Sequence, residues 1–253
     1  MTELKQPSSR FVEPLGFTNR ILLGLPHASL DRIKPFLEPL IMDKGQMIDK
    51  IDGPIRHLYF VNRGLVSVVK TMRDGRTVEI GAVGIEGITD PNALFGIDRA
   101  LLETIVQIPG SAFRIDREVL KREMTKDAAF RDIMQRYVRF AFSQLAQTAA
   151  CNRLHSLEER CCRWLLLAHD SALADNFSLT HEFLAMMLGV RRSGVSIVAH
   201  LLKKAGLIDY KRGRITILDR SGLADAACEC YASTQSQLAE LFGRRPRQHL
   251  RRP

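Results

Sequence analysis

Between residues 180 and 215 the chain carries seven basic side chains, Arg191, Arg192, Lys203, Lys204, Lys211, Arg212 and Arg214, against two acids, Glu182 and Asp209. A local excess of this kind suits a polyanion, because it raises a positive potential over one stretch of surface. The excess is regional: residues 1–150 hold 21 Lys/Arg and 18 Asp/Glu, whereas residues 151–253 hold 16 and 10. Charge alone does not separate a nucleic-acid face from an ordinary solvated helix, so the pattern beneath the charges has to decide.

Other chemistries fare worse. The five cysteines, Cys151, Cys161, Cys162, Cys228 and Cys230, are spaced neither as a disulfide framework nor as a C-x-x-C zinc pair. They read as reduced thiols, and no metal and no cofactor is expected. A β-roll (cupin-like) small-molecule or metal-binding enzyme with an accessory helical domain is the alternative to a polyanion binder. It needs two or three His and a carboxylate converging from neighbouring strands, and residues 40–115 supply only His57, a packed or solvated ring. Neither a Gly-x-Ser-x-Gly elbow nor a Gly-rich phosphate cradle is present, so catalysis is not expected.

The stretch that organises the basic residues runs from Thr180 to Ile208. Read as two helices joined by a tight turn, it buries Leu184 and Leu188, four apart on one face, and keeps Ala185 small where the helices cross. Gly189 falls where the first helix must end in a left-handed residue. Val190 fills the turn, and Val195, Val198 and Leu202 form the inner face of the second helix. This is a helix-turn-helix pattern. It leaves Arg192, Ser193, Ser196, Ile197 and His200 pointing outward, at the face that enters a DNA major groove. Arg192 is placed for two hydrogen bonds to a guanine, whereas Arg191, Lys203 and Lys204 suit phosphates. After Gly206, residues 210–218 alternate around Arg212-Gly213-Arg214 and predict a short hairpin, or wing, with basic residues at its tip. A scaffold that uses the same motif to bind protein is a third reading, and a steep fall of DNA affinity with salt counts against it.

The elements that carry this motif follow from periodicity. With 253 residues, 45% apolar and 26% charged, the chain is long enough for one large or two modest packed domains. Turn signals at Asp43-Lys44-Gly45, Asp52-Gly53-Pro54, Asn62-Arg63-Gly64 and Arg73-Asp74-Gly75 separate candidate strands over 57–61, 65–71 and 77–83, and strands over 104–107 and 111–115 flank Pro109-Gly110. From Arg117 to Asn152 the period becomes helical, in one long helix or two shorter ones, with Ile133, Tyr137, Phe140, Ala141, Leu145 and Thr148 as the apolar stripe. That stripe is wider than a small β-roll needs, and a second copy of the chain is expected to cover the remainder. A helix over 157–169 and a polar connection over 172–178 complete the approach to the motif. No apolar run is long enough for a membrane span, and Met1 to Arg10 lacks the apolar stretch of a signal peptide, so cytoplasmic residence is expected.

These residues resemble the CRP/FNR superfamily of bacterial transcription regulators over about residues 20–225. The resemblance rests on Phe60 to Ser67 with Asp74-Gly75-Arg76, on Gln147 to Arg153, and on the winged helix-turn-helix. It implies an α+β fold: an N-terminal antiparallel β-roll of the cyclic-nucleotide-binding type (1–116), a long dimerisation helix (117–152), a winged helix-turn-helix (153–225), then a C-terminal helix and basic tail (226–253). It implies a homodimer on a near-palindromic operator, with double-stranded DNA and RNA polymerase as partners and no membrane. The DNA-binding set is Thr180, Arg191, Arg192, Ser193, Ser196, Ile197, His200, Lys203, Arg212 and Arg214. Gly84, Glu86, Gly87 and Arg99 stand where an effector would bind. No Arg-Ser pair follows in step, so cyclic AMP is not the expected effector. No cysteine precedes Cys151, which departs from the iron-sulfur branch. Arg191 also stands where a Ser or Thr is expected to cap the recognition helix.

Overall fold

The computed structural model describes residues 16–242; the expectations placed on Met1 to Arg10 and on the basic tail from Gly243 lie outside them. Two short helices, α1 (Arg20–Leu23) and α2 (His27–Ile33), precede five strands: β1 (Glu38–Met42), β2 (Met47–Asp49), β3 (His57–Thr71), β4 (Thr77–Val83) and β5 (Glu103–Asp116). They form one antiparallel sheet in the order β1-β5-β3-β4, with β2 also on β5.

Two of the expected turns lie inside strands. Asn62-Arg63-Gly64 is part of β3 and Pro109-Gly110 part of β5, so four expected strands are two long ones. The turn residues mark a bulged region instead: the β3–β5 register slips between Val61 and Val66. Gly64 takes φ +96°, and a Cβ there would stand 2.5 Å from the Ile108 carbonyl oxygen. A bulge of this kind bends a long strand without ending it, and so lets β3 serve both ends of the roll.

Asp116 and Asp127 set the helical register that follows. The Asp116 carboxylate accepts from the backbone N–H groups of Glu118 and Val119 and starts α3 (Arg117–Lys126). The Asp127 carboxylate does the same for α4 (Ala128–Leu154), so the region is two helices and the long one begins at Ala128. A reciprocal cap between Ser156 and Glu159 opens α5 (Leu157–Ala172). Then come β6 (Asn176–Ser178), α6 (His181–Leu188), α7 (Arg192–Lys204), β7 (Ile208–Lys211), β8 (Arg214–Ile217), α8 (Arg220–Asp225) and α9 (Cys230–Phe242). The expected polar connection is partly strand: β6 pairs with β8 and widens the wing to three strands, β6-β8-β7. The wing turns at Arg212 and Gly213, both at positive φ.

The division at residue 153 does not separate two cores. Leu65, Val69 and Ile108 of the roll pack in one buried cluster with Leu165, Leu184, Val195 and Leu202. At this seam Glu79 is buried, and accepts from the Ser67 hydroxyl and, at 3.0 Å, from the Trp164 indole N–H. A second cluster packs Phe60 and Ile115 against Phe130, Met134 and Tyr137 of α4. The inner part of the expected stripe, Ile133, Tyr137 and Phe140, is thus covered by the chain's own roll. Another row, Val138, Phe142, Leu145 and Ala149, runs along a different side of α4, with Phe142 73% and Leu145 37% exposed.

A candidate nucleic-acid interface

The packing of α6 against α7 decides which way α7 faces. Leu184, Ala185 and Leu188 of α6 and Val195, Val198 and Leu202 of α7 are all buried. Gly189 ends α6 at φ +65°, and its N–H returns to the carbonyls of Ala185 and Met186. With that face buried, the opposite side of α7 presents Arg192, Ser193, Ile197, His200, Lys203 and Lys204 to solvent. Ile197 is 63% exposed, an apolar side chain left out of the core amid polar neighbours, as a thymine methyl contact requires. Arg191 occupies the N-cap without a capping side-chain hydrogen bond, so the first-turn N–H groups of α7 lack a side-chain acceptor and two guanidiniums flank them.

The remaining expected residues hold the unit together or flank it. Thr180 caps α6, its hydroxyl accepting from the Phe183 N–H at 3.3 Å. Ser196 does not point freely outward: its hydroxyl lies 3.0 Å from His181 Nδ1. Arg212 is at the wing tip and Arg214 donates to Asn176 Oδ1 at 2.7 Å. Two of the basic groups have acidic partners: Arg192 reaches Glu182 at 3.1 Å and Lys203 reaches Asp209 at 2.6 Å. Both pairs are solvent-exposed and worth little, so they hold the cations in place yet yield readily to a phosphate or a base. The Lys203 hydrogen bond keeps the Asp209 carboxyl below its usual range.

His181, which no spacing rule singles out, links three elements. Its ring stacks on Tyr210 of β7 with centroids 4.2 Å apart and touches Ser196 of α7. Burial, then the Arg192 charge, lower its pKa, so the imidazole is neutral at pH 7. It meets its partners only once α6, α7 and the wing have folded together.

The expected effector residues have separate partners. Glu86 folds back to accept the Gly84 N–H at 2.8 Å, and Gly84 and Gly87 lie tight against Ser171 and Tyr137. Arg99 is exposed in an isolated bridge with Pro54, donating to the Asp52 carbonyl at 2.6 Å. A cavity of about 290 Å³ lies nearby between the roll and α4, walled by Val83, Asp90, Phe95, Thr104, Phe140 and Leu145; among the described residues no Lys or Arg lines it.

Residues 159–226 match the family of the Crp-like helix-turn-helix domain. Among curated proteins none matches the chain. Solved structures do. FixK2 from Bradyrhizobium japonicum superposes with a TM-score of 0.63 at 18% identity, over 76% of this chain and 98% of that one. A putative transcriptional regulator of the crp/fnr family from Eubacterium rectale gives 0.61 at 20% identity, over 81% and 96%. A CRP-family transcriptional regulator from Thermus thermophilus gives 0.60 at 22% identity, over 74% and 95%. At these identities the likeness is one of fold: roll, long helix and winged helix-turn-helix in the same order.

Proposed function

We propose that this chain, a CRP/FNR-type transcription regulator by its fold and its Crp-like helix-turn-helix domain, binds a near-palindromic DNA operator as a homodimer. The observation that carries the reading is the division of α7 into a buried Val195, Val198, Leu202 side and a solvent-facing side bearing Arg192, Ser193, Ile197 and Lys203. Arg192 reads a guanine from the first turn of α7 in the major groove, Ile197 meets a thymine methyl, and Arg191, Lys203, Arg212 and Arg214 neutralise phosphates on either side.

The dimer reading rests on the second row of α4. Val138, Phe142, Leu145 and Ala149 recur at intervals of four, three and four, the spacing of a coiled-coil seam; Phe142, Leu145 and Ala149 are exposed and Val138 partly so. Pairing two copies through that seam relates two α7 helices by a two-fold axis, which favours half-sites about one helical turn, ~34 Å, apart.

Cyclic AMP is not the effector in this reading. A cyclic phosphate in the cavity beside α4 would find the Asp90 carboxylate and no cation, and a buried phosphate without a partner is costly. The test is titration of labelled duplexes with the purified chain at several salt concentrations, with and without cyclic AMP. Tight, strongly salt-dependent binding that one sequence enhances and cyclic AMP leaves unchanged supports the reading. Salt-independent or absent binding to every duplex opposes it.

A further inference from the structure

The sequence spacing of the cysteines gives no hint of a metal site, because the residues that come together arrive from segments far apart. Cys151 lies in the last turns of α4, His155 is that helix's C-cap, and Cys228 and Cys230 lie at the start of α9. Cys151 and His155 are four apart, so they share one face of α4. The metal-binding atoms of all four residues fall within 4.8 Å of one another.

From this arrangement we infer that Cys151, His155, Cys228 and Cys230 form a tetrahedral Cys3His site for zinc, clamping the α4–α5 junction to the start of α9. Zinc–sulfur bonds of about 2.3 Å and a zinc–nitrogen bond of about 2.0 Å at tetrahedral angles set the ligand atoms roughly 3.5–3.8 Å apart. Cys151 Sγ and Cys228 Sγ stand 3.6 Å apart, and Cys230 Sγ and His155 Nδ1 3.5 Å. The sulfur separation is far beyond a disulfide bond of about 2.05 Å. A multi-iron cluster is also excluded by size, since it spreads its thiolates over several irons.

The surroundings match the donors. With Nδ1 turned to the sulfurs, His155 directs Nε2 to the Glu229 carboxylate at 3.1 Å, the outer partner that fixes a ligating imidazole. Gln147 donates to Cys230 Sγ at 2.9 Å. Three thiolates and one neutral imidazole around a divalent cation leave a net negative charge, and the Arg160 and Arg163 guanidiniums are close enough to act on Cys151. All three cysteines are buried, and His155 is half-buried. Cysteine packed as a small apolar residue explains the burial. It does not explain an imidazole nitrogen aimed among three sulfurs with a carboxylate behind it.

The full chain, purified under reducing conditions, is loaded with zinc, and separately with cobalt(II) as a spectroscopic reporter. One equivalent of zinc per chain, a tetrahedral cobalt spectrum with sulfur charge-transfer bands, and a melting temperature lowered by chelation are expected. The variants Cys228→Ser, Cys230→Ser and His155→Ala should each bind less metal. The double variant Cys161→Ala/Cys162→Ala, at cysteines outside the cluster, should bind as the parent does. If a ligand variant fails to fold, the stoichiometry and cobalt spectrum of the parent decide. An octahedral cobalt spectrum, no retained metal, metal binding undiminished in the folded ligand variants, or a Cys151–Cys228 disulfide forming in zinc's presence would overturn the assignment.

Discussion

At the scale of single residues, the proposed interface divides into side chains that read sequence and side chains that grip the backbone. Arg192→Ala removes a bidentate donor to one base pair and should cost about 1–3 kcal/mol on the preferred operator, and far less on a duplex changed at that base pair. Lys203→Ala should weaken every duplex by a similar factor and flatten the salt dependence by about one phosphate contact. Competition titrations against single-base operator variants distinguish them; equal losses on all sequences for both would reverse the assigned roles. A second residue-scale consequence concerns Glu79. Burial pushes its carboxyl up from 4.5 to about 7, against hydrogen bonds from Ser67 and Trp164 that act to lower it. The folded state therefore holds the proton more tightly than the unfolded chain. The stabilisation this gives is complete below about pH 4.5 and is lost as pH rises to about 7. Glu79→Gln removes the titration: its amide oxygen accepts from the Trp164 indole and its NH2 donates to the Ser67 hydroxyl, which turns from donor to acceptor. Its stability should match the parent near pH 4.5 and exceed it by about 3 kcal/mol at pH 8, as measured by urea unfolding across pH. Asp49, pushed up to about 6, titrates in both proteins and cancels in the comparison. Parallel stability curves would show that Glu79 does not titrate in this range.

At the scale of elements, the turn between α6 and α7 is the most sharply specified feature. Gly189→Ala forces a side chain to φ +65° and puts a Cβ 3.1 Å from Val78 Cγ2 on β4. Gly206 has a similar φ of +74° but open space around it. Alanine at Gly206 should therefore cost only the backbone strain, about 1 kcal/mol, and alanine at Gly189 more than that. Thermal melts of both variants check the order, and a larger loss at Gly206 would mean that the Val78 contact relaxes freely. The helix-turn-helix was legible in the sequence because its packing positions, Leu184 to Leu202, lie within one short stretch and are fixed by local geometry. The roll was legible only in part. Gly64 and Pro109-Gly110 read as turns because the same residue types mark a bulge, and only the pairing partner, remote in sequence, distinguishes the two. The short strand β6 escaped notice because three residues carry no period and it exists only through β8. The effector set shows a related effect: Arg99 follows Glu86 closely in sequence, but it pairs with Pro54 in an isolated bridge and donates to the Asp52 carbonyl. His181 and the Cys151 cluster could not be read at all, since each assembles from separate segments.

At the scale of the whole molecule, the proposed function needs two α7 helices held at a fixed distance, and the seam proposed along α4 is what would hold them. Phe142→Glu puts a charge in the proposed seam at a position that is exposed in the single chain, so the fold should survive while the dimer does not. Sedimentation at micromolar concentration should show a dimer for the parent and a monomer for the variant, with operator affinity falling by at least tenfold. A parent that sediments as a monomer, with or without DNA, would remove the two-fold argument. The most direct measurement is recovery of bound duplexes from a fully random pool by the parent and by Arg192→Ala. The parent should enrich an inverted repeat with half-site centres about one helical turn apart, and the variant should lose preference at one position in each half. Recovery of sequences without two-fold symmetry, or the same repeat at full strength from both proteins, would contradict the claim that the outer face of α7 reads DNA.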